Sequence, residues 1–216
     1  MIRPPFETII FDLDGTLIDS SEDIIVSLAQ SYSLAGLAPP VMTTRNIGPK
    51  LPELIQKLTP GITLAQKEKI ILHYRSIYDS ITSPKTKLLP GVLDILNSLR
   101  SRGINIFIAT NKPKSATIPL LKFFQIDTYF REIMTPTSLD NQEINKREMI
   151  THLLSSYKLD PEKTMMVGDH IDDLEAGKSN KIKTVAFLGG YSSPLSLKEG
   201  NPDYCINELT NLMELT

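Results

Sequence analysis

A single cysteine, Cys205, stands alone among 216 residues, so no disulfide can close within the chain. A chain without that staple reads as the product of a reducing compartment, the cytoplasm. There is no basic surplus: 23 Lys and Arg face 25 Asp and Glu, a formal net charge of −2. That balance offers no field to hold nucleic acid or an anionic membrane, and neither is expected as a partner. Blocks of like charge, low-complexity tracts and internal repeats are all missing. No apolar run approaches the roughly 20 residues of a membrane span. A strand is expected to begin within about six residues of Met1, which leaves no room for a signal peptide. Nothing in the sequence fixes an oligomeric state.

What is present is a globular composition, 41% hydrophobic and 22% charged. It can build a core and is unlike that of a disordered chain. Glu7 to Phe11 reads as a short buried strand. Ser20 and Asp23 then form a loose capping box, followed by Ile24, Ile25, Leu28 and Tyr32 at helical spacing. Leu51 to Leu58 is a second helix, and Thr63 with Gln66 opens a third that carries Ile70, Ile71, Tyr74, Ile77 and Tyr78. Residues 18–85 are therefore expected to be helical, with no clear strand. From Leu88 strands and helices alternate: helix from Pro90-Gly91, strand Ile104–Ala109, helix Lys114–Phe124, strand Glu132–Thr135, helix Lys146–Tyr157, strand Thr164–Val167, helix Asp172–Ser179 and strand Ile182–Phe187. This rhythm predicts a parallel sheet with helices on both faces. The expected fold is α/β, with core segments 1–17 and 86–216 and a helical insert at 18–85.

In such sheets the ligand site lies beyond the C-terminal strand ends. After the first strand come Asp12 and Asp14, two residues apart and so on one side of the strand, and then Gly15. After the strand at 104–109 come Thr110, Asn111 and Lys112. A hydroxyl, an amide and free backbone N–H groups at such a turn can cradle a phosphate. After the strand at 164–167 come Gly168, Asp169, His170, Asp172 and Asp173. Lys146 opens the helix before it. Several carboxylates in one crevice repel each other, and a hard divalent cation such as Mg²⁺ relieves this. Each signal alone has a plainer explanation: a turn, a helix cap or a solvated lysine. Their arrival together at successive strand ends is what points to phosphoryl chemistry.

The motifs IIFDLDGTLIDS at 9–20, IATNKP at 108–113 and MVGDHIDDLEAG at 166–177 resemble the haloacid dehalogenase-like hydrolases, and most closely their phosphoglycolate phosphatase-like branch. IGPKLPELIQKL at 47–58 and PDYCINELTNLM at 202–213 are similar to that branch too, so the likeness spans essentially the whole chain. It implies a Rossmann-like parallel sheet core with an inserted all-helical cap domain. It implies a phosphoric monoester hydrolase in which Asp12 is the nucleophile and forms an aspartyl-phosphate, while Asp14 is the general acid and then the base. Thr110 and Lys146 would hold the phosphoryl oxygens, and Asn111 would shape the pocket. Mg²⁺ would lie between Asp12, the backbone carbonyl of Asp14 and Asp169. Asp173 would steady a metal-bound water or Lys146, and Asp172 would be peripheral.

Two positions depart from the family pattern. The third motif commonly reads Lys-Pro followed by another proline, where this chain has Asn-Lys-Arg-Glu. His170 stands where serine is usual. The implied substrate is a small phosphorylated metabolite, phosphoglycolate first, with pyrophosphate, nucleotides and sugar phosphates as alternatives. Dehalogenases of the family lack the acid found here as Asp14. Related phosphomutases usually carry a histidine in the first cap helix, where this chain has Ile24. Non-catalytic relatives tend to lose Asp12 or Asp14, and both are present. Arg45 and Lys50, flanking Ile47-Gly48-Pro49, are candidates to read the leaving group; the plainer reading makes both solvated cations. Tyr74 and Tyr78 fit helical spacing and are expected in the insert's core, and Gly189-Gly190-Tyr191 after the last strand fits an entrance lining and an ordinary loop equally well.

Overall fold

The computed structural model describes residues 6–80, 84–139 and 143–216. In chain order its elements are β1 (Thr8–Phe11), β2 (Ile18–Asp19), α1 (Ser21–Leu34), α2 (Leu51–Leu58), α3 (Leu64–Tyr78), β3 (Lys87–Leu88), α4 (Val92–Ser101), β4 (Asn105–Ala109), α5 (Lys114–Phe123), β5 (Glu132–Met134), α6 (Lys146–Ser156), β6 (Thr164–Gly168), α7 (Ile171–Ser179), β7 (Lys183–Phe187), α8 (Pro194–Glu199) and β8 (Tyr204–Ile206). Six strands form one parallel sheet in the order β5-β4-β1-β6-β7-β8.

Alternation along the strands decides which face each side chain serves. Ile9 and Phe11 of β1, with Ile106, Ile108, Met165 and Val167 of its neighbours, pack with Val92, Ile95, Leu96 and Leu99 of α4. Ile10, Phe107 and Met166 turn to the other face, against Met149, Ile150 and Leu153 of α6. Apolar runs such as TIIF and NIFIA are therefore buried on both sides, as a parallel sheet requires. Because Phe11 is level with Ile108 of β4 and Val167 of β6, the three strands end side by side. The residues that follow them share one edge.

The helical insert has a small apolar centre of its own, built from Leu28, Tyr32, Leu54, Ile55 and Ile70. The Tyr32 hydroxyl, carried inside, meets Thr59 Oγ1 at 2.8 Å. Thr63 and Gln66 cap α3 reciprocally, as their spacing predicts. Two expectations for this region fail. Ile18–Asp19 is a strand, paired antiparallel with Lys87–Leu88 so that the outgoing and returning chains lie together; two residues are too few to show a period. Nor do Ser20 and Asp23 form a capping box. The Ser20 side chain makes no cap bond and donates to Asp14 instead. Asp23 accepts from the backbone N–H groups of Lys85 (3.2 Å) and Thr86 (2.8 Å) and from Thr86 Oγ1 (2.6 Å), tying the two ends of the insert together.

Beyond Phe187 the chain adds α8 and the edge strand β8, neither of which had a periodic signal. No helix among the described residues is long and apolar enough to cross a membrane.

Asp23→Ala strips a buried carboxylate from Thr86, itself buried. Unpaired buried donors cost about 1–3 kcal/mol, so urea unfolding should show a loss of that size. A change below about 0.5 kcal/mol, the usual span of surface substitutions, would mean that water replaces the contact.

Candidate active site

β1 delivers Asp12 and Asp14 to the edge where β4 delivers Thr110 and β6 delivers Asp169. Asp12, Asp14, Thr110, Asn111, Lys146 and His170 border a cleft of about 90 Å³, closed on the insert's side by Ile24, Gly48, Leu54, Tyr74 and Tyr78. Tyr74 and Tyr78 therefore line the cleft rather than the insert's interior alone; their rings stack at 5.4 Å between centroids.

The two aspartates diverge. Asp12 is buried, and its Oδ1 accepts from Lys146 Nζ at 2.7 Å. Lys146 is the first residue of α6, whose start is fixed by a reciprocal cap between Asn145 and Glu148. It reaches the site without the prolines of the family pattern, and its ammonium also pairs with Asp173. Asp173 in turn accepts from the backbone N–H of His170 at 2.9 Å, at the N-terminus of α7, where the helix dipole favours an anion. Asp169 accepts from Thr16 Oγ1 at 3.1 Å and from the Tyr191 N–H at 2.7 Å. The glycine loop before Tyr191 thus holds Asp169. Gly15, at φ +85°, has no room for a Cβ because the Asp169 carboxylate and the Tyr191 ring lie against it.

Asp12, Asp169 and Asp173 each offer a carboxylate oxygen within 4.8 Å of the others, all three buried. One lysine among three carboxylates leaves an excess of negative charge. Hard oxygen donors at this spacing fit a divalent cation of the Mg²⁺ type. Asp14 contributes no side chain to this group. Its carboxylate is taken by Ser20 Oγ and by Lys112 Nζ, at 3.0 Å to Oδ1 and 3.3 Å to Oδ2. Lys112, expected only as part of the 110–112 turn, is buried and also donates to the Tyr78 hydroxyl at 2.6 Å. A lysine directly after a Thr-Asn turn and before proline was the available signal.

The phosphate cradle expected at residues 110–112 is partly occupied from within. The Lys112 N–H donates to Thr110 Oγ1 at 3.1 Å, and Asn111 Nδ2 donates to Gly48 O at 3.3 Å. Asn111 therefore ties the core to the insert. His170 does the same by contact: its ring lies where a Cβ on Gly48 (φ +137°) would be. Lys50 borders a neighbouring cavity of about 280 Å³ with Asn111, Lys146 and Arg147, and its Nζ lies 3.4 Å from Ile144 O. Arg45 is exposed and lines neither cavity.

Burial pushes the Asp12 carboxyl up to about 8; Lys146 opposes this, while Asp173 and Asp169 add to it. Burial and then Asp173 push Asp169 up to about 6. Burial alone would lower the Lys146 ammonium, but Asp12 and Asp173 outweigh it and hold it above the usual lysine range. Burial would likewise lower His170, and Asp172 with Asp173 raises it on balance.

The family model for haloacid dehalogenase-like hydrolases matches residues 9–187. The chain is 28% identical over 212 residues to a 5'-nucleotidase of Pseudomonas aeruginosa, covering 97% of this chain and 95% of that one. It is 28% identical over 224 residues to a phosphoglycolate phosphatase of Nitrosococcus oceani, covering 100% and 98%. The crystal structure of a predicted phosphatase from Clostridium acetobutylicum superposes with a TM-score of 0.85 at 25% identity, covering 97% of each chain.

The raised carboxyls set a pH dependence for the metal-free protein. Unfolded, Asp12 and Asp169 lose their protons near 3.8; folded, they keep them to about 8 and about 6. The folded state then binds more protons over this window, so stability falls as pH rises from about 4 to about 8. Melting in EDTA should show that decline, and Mg²⁺ should restore more at pH 8 than at pH 5. A flat profile would mean that the carboxylates are relieved in another way.

Proposed function

The chain belongs to the haloacid dehalogenase-like hydrolases and is a phosphatase, and we propose that it hydrolyses a small phosphorylated metabolite of phosphoglycolate size through an aspartyl-phosphate. The observation that carries this reading is the divergence of Asp12 and Asp14. One strand end offers a buried carboxylate beside a lysine and two further acids, and a second carboxylate directed elsewhere. The first suits attack on phosphorus, and the second suits the proton of the leaving group.

In the proposed reaction Asp12 Oδ2, which has no partner among the described residues, attacks phosphorus while the ester oxygen departs. Lys146 steadies the negative charge on the phosphoryl oxygens, and the Thr110 hydroxyl donates to one of them. Asp14 gives its proton to the departing alkoxide and then takes one from the water that cleaves the aspartyl-phosphate. Mg²⁺, held by Asp12 and Asp169 with Asp173 fixing Lys146, would favour the ionised Asp12 that burial, and then the neighbouring acids, disfavour. Residues 18–85 act as a cap that excludes water from the cleft. At about 90 Å³ the cleft has far less room than the 300–1,000 Å³ of drug-sized sites. This supports a leaving group of a few atoms over a nucleoside. The single free cysteine, exposed, is in keeping with a reducing cytoplasm.

The test is phosphate release from 2-phosphoglycolate, sugar phosphates, pyrophosphate and nucleoside 5'-monophosphates, with Asp12→Asn as the blank. Activity on 2-phosphoglycolate should exceed that on nucleotides, vanish in EDTA and vanish in Asp12→Asn. Preference for a nucleotide would move the assignment toward the Pseudomonas relative's activity, and turnover by Asp12→Asn would remove Asp12 as nucleophile. Asp14→Asn should lower turnover of an alkyl phosphate by roughly 10²–10⁴-fold, the scale of general acid catalysis. It should cost much less with p-nitrophenyl phosphate, whose leaving group needs no proton.

A further inference from the structure

We infer that Lys112, held between Asp14 and Tyr78, is a positioning residue that sets Asp14 for proton transfer only while the insert is seated on the core. The inference rests on the proton-transfer role of Asp14 proposed above.

An ammonium has three N–H donors. Those of Lys112 face the two oxygens of Asp14, at 3.0 and 3.3 Å, and the Tyr78 hydroxyl, at 2.6 Å. Nothing is left over with which to bind a substrate anion, although Lys112 borders the cleft. Its Nζ also lies 4.5 Å from the centre of the Tyr78 ring, which a cation favours. Its side chain is 4% exposed and that of Asp14 is 16% exposed, so water does not substitute easily for these contacts. The partners come from opposite sides. Lys112 and Asp14 belong to the core, and Tyr78 ends the last helix of the insert. Ser20, which grips Asp14 Oδ1 from the other side, begins the first helix. Asp14 is thus met directly by Ser20 and, through Lys112, by Tyr78 of the insert. If the insert lifts, Tyr78 leaves Lys112, and the ammonium that directs the Asp14 carboxylate loses its third partner before any proton can be delivered.

The test compares kcat/KM for an alkyl phosphate that the wild-type enzyme hydrolyses with that for p-nitrophenyl phosphate. In Lys112→Met the loss on the alkyl ester should exceed the loss on the aryl ester by roughly tenfold or more, as for a displaced general acid. Tyr78→Phe, which keeps the ring and its stacking on Tyr74, should show the same selectivity to a smaller degree. It carries the test if Lys112→Met fails to fold. The double variant should be no worse than Lys112→Met alone, because Tyr78 acts through Lys112. Equal losses on both esters, no loss on either, or independent multiplication in the double variant would overturn the inference. Asp14→Asn, run on the same pair, separates the two levels. If it too is unselective, the proton-transfer reading fails; if it is selective and the Lys112 and Tyr78 variants are not, only the positioning role fails.

Discussion

Three carboxylates buried against one another around a single ammonium are the constraint on which the rest of this molecule turns. Asp12, Asp169 and Asp173 share one ammonium, that of Lys146, and burial disfavours the charged forms of Asp12 and Asp169. Burial drives Asp12 far above the ordinary aspartate range, and the two other acids reinforce it. A site in this condition is held together by what surrounds it. The Thr16 hydroxyl, the Tyr191 N–H and the start of α7 each supply a donor to one of the acids. These donors come from separate loops, so the repulsion is contained only when the whole sheet edge is assembled.

The sheet order explains how that assembly is reached. β1 lies at the centre, between β4 and β6, and the register ends all three strands within one residue of each other. Each side chain needed at the edge is then the next residue after a buried apolar run. The hydrophobic pattern that selects the strand also selects where the polar residue emerges, because a one-residue slip would turn Phe11 from α4 toward α6. Glycines at 15 and 168 complete the arrangement by leaving room for carboxylates where any Cβ would collide with them. Core packing and site geometry are thus one constraint seen from two sides.

That coupling is why so much was legible in the sequence. Strands long enough to alternate or run apolar, such as NIFIA, announced themselves, and the acids followed at their ends. Helices with apolar spacing and a reciprocal cap, such as α3, were equally plain. What escaped was decided by contacts between distant segments. Ser20 and Asp23 have the spacing of a cap, but Asp14 and Thr86 compete for them and win. Lys112 had no role assigned because its partner Tyr78 lies 34 positions away, on a helix of the insert. Arg45 offered the right charge beside a glycine, yet its 3₁₀ turn leaves it outside the cleft. Charge type is visible in a sequence, whereas the direction in which a loop presents it is not.

The contrast between Asp12 and Asp14 carries this one step further. Both leave the same strand, two residues apart, where an ideal strand would point them the same way. The left-handed turn at Gly15 ends that regularity. The Gly15 N–H closes on Ile18 O at 2.8 Å, and the backbone after Asp14 bends toward the insert. Asp12 stays with the acids of the core, while Asp14 falls between Ser20 and Lys112. Two chemically identical residues thus acquire different neighbours. Gly15 also makes the space that the Asp169 carboxylate and the Tyr191 ring occupy.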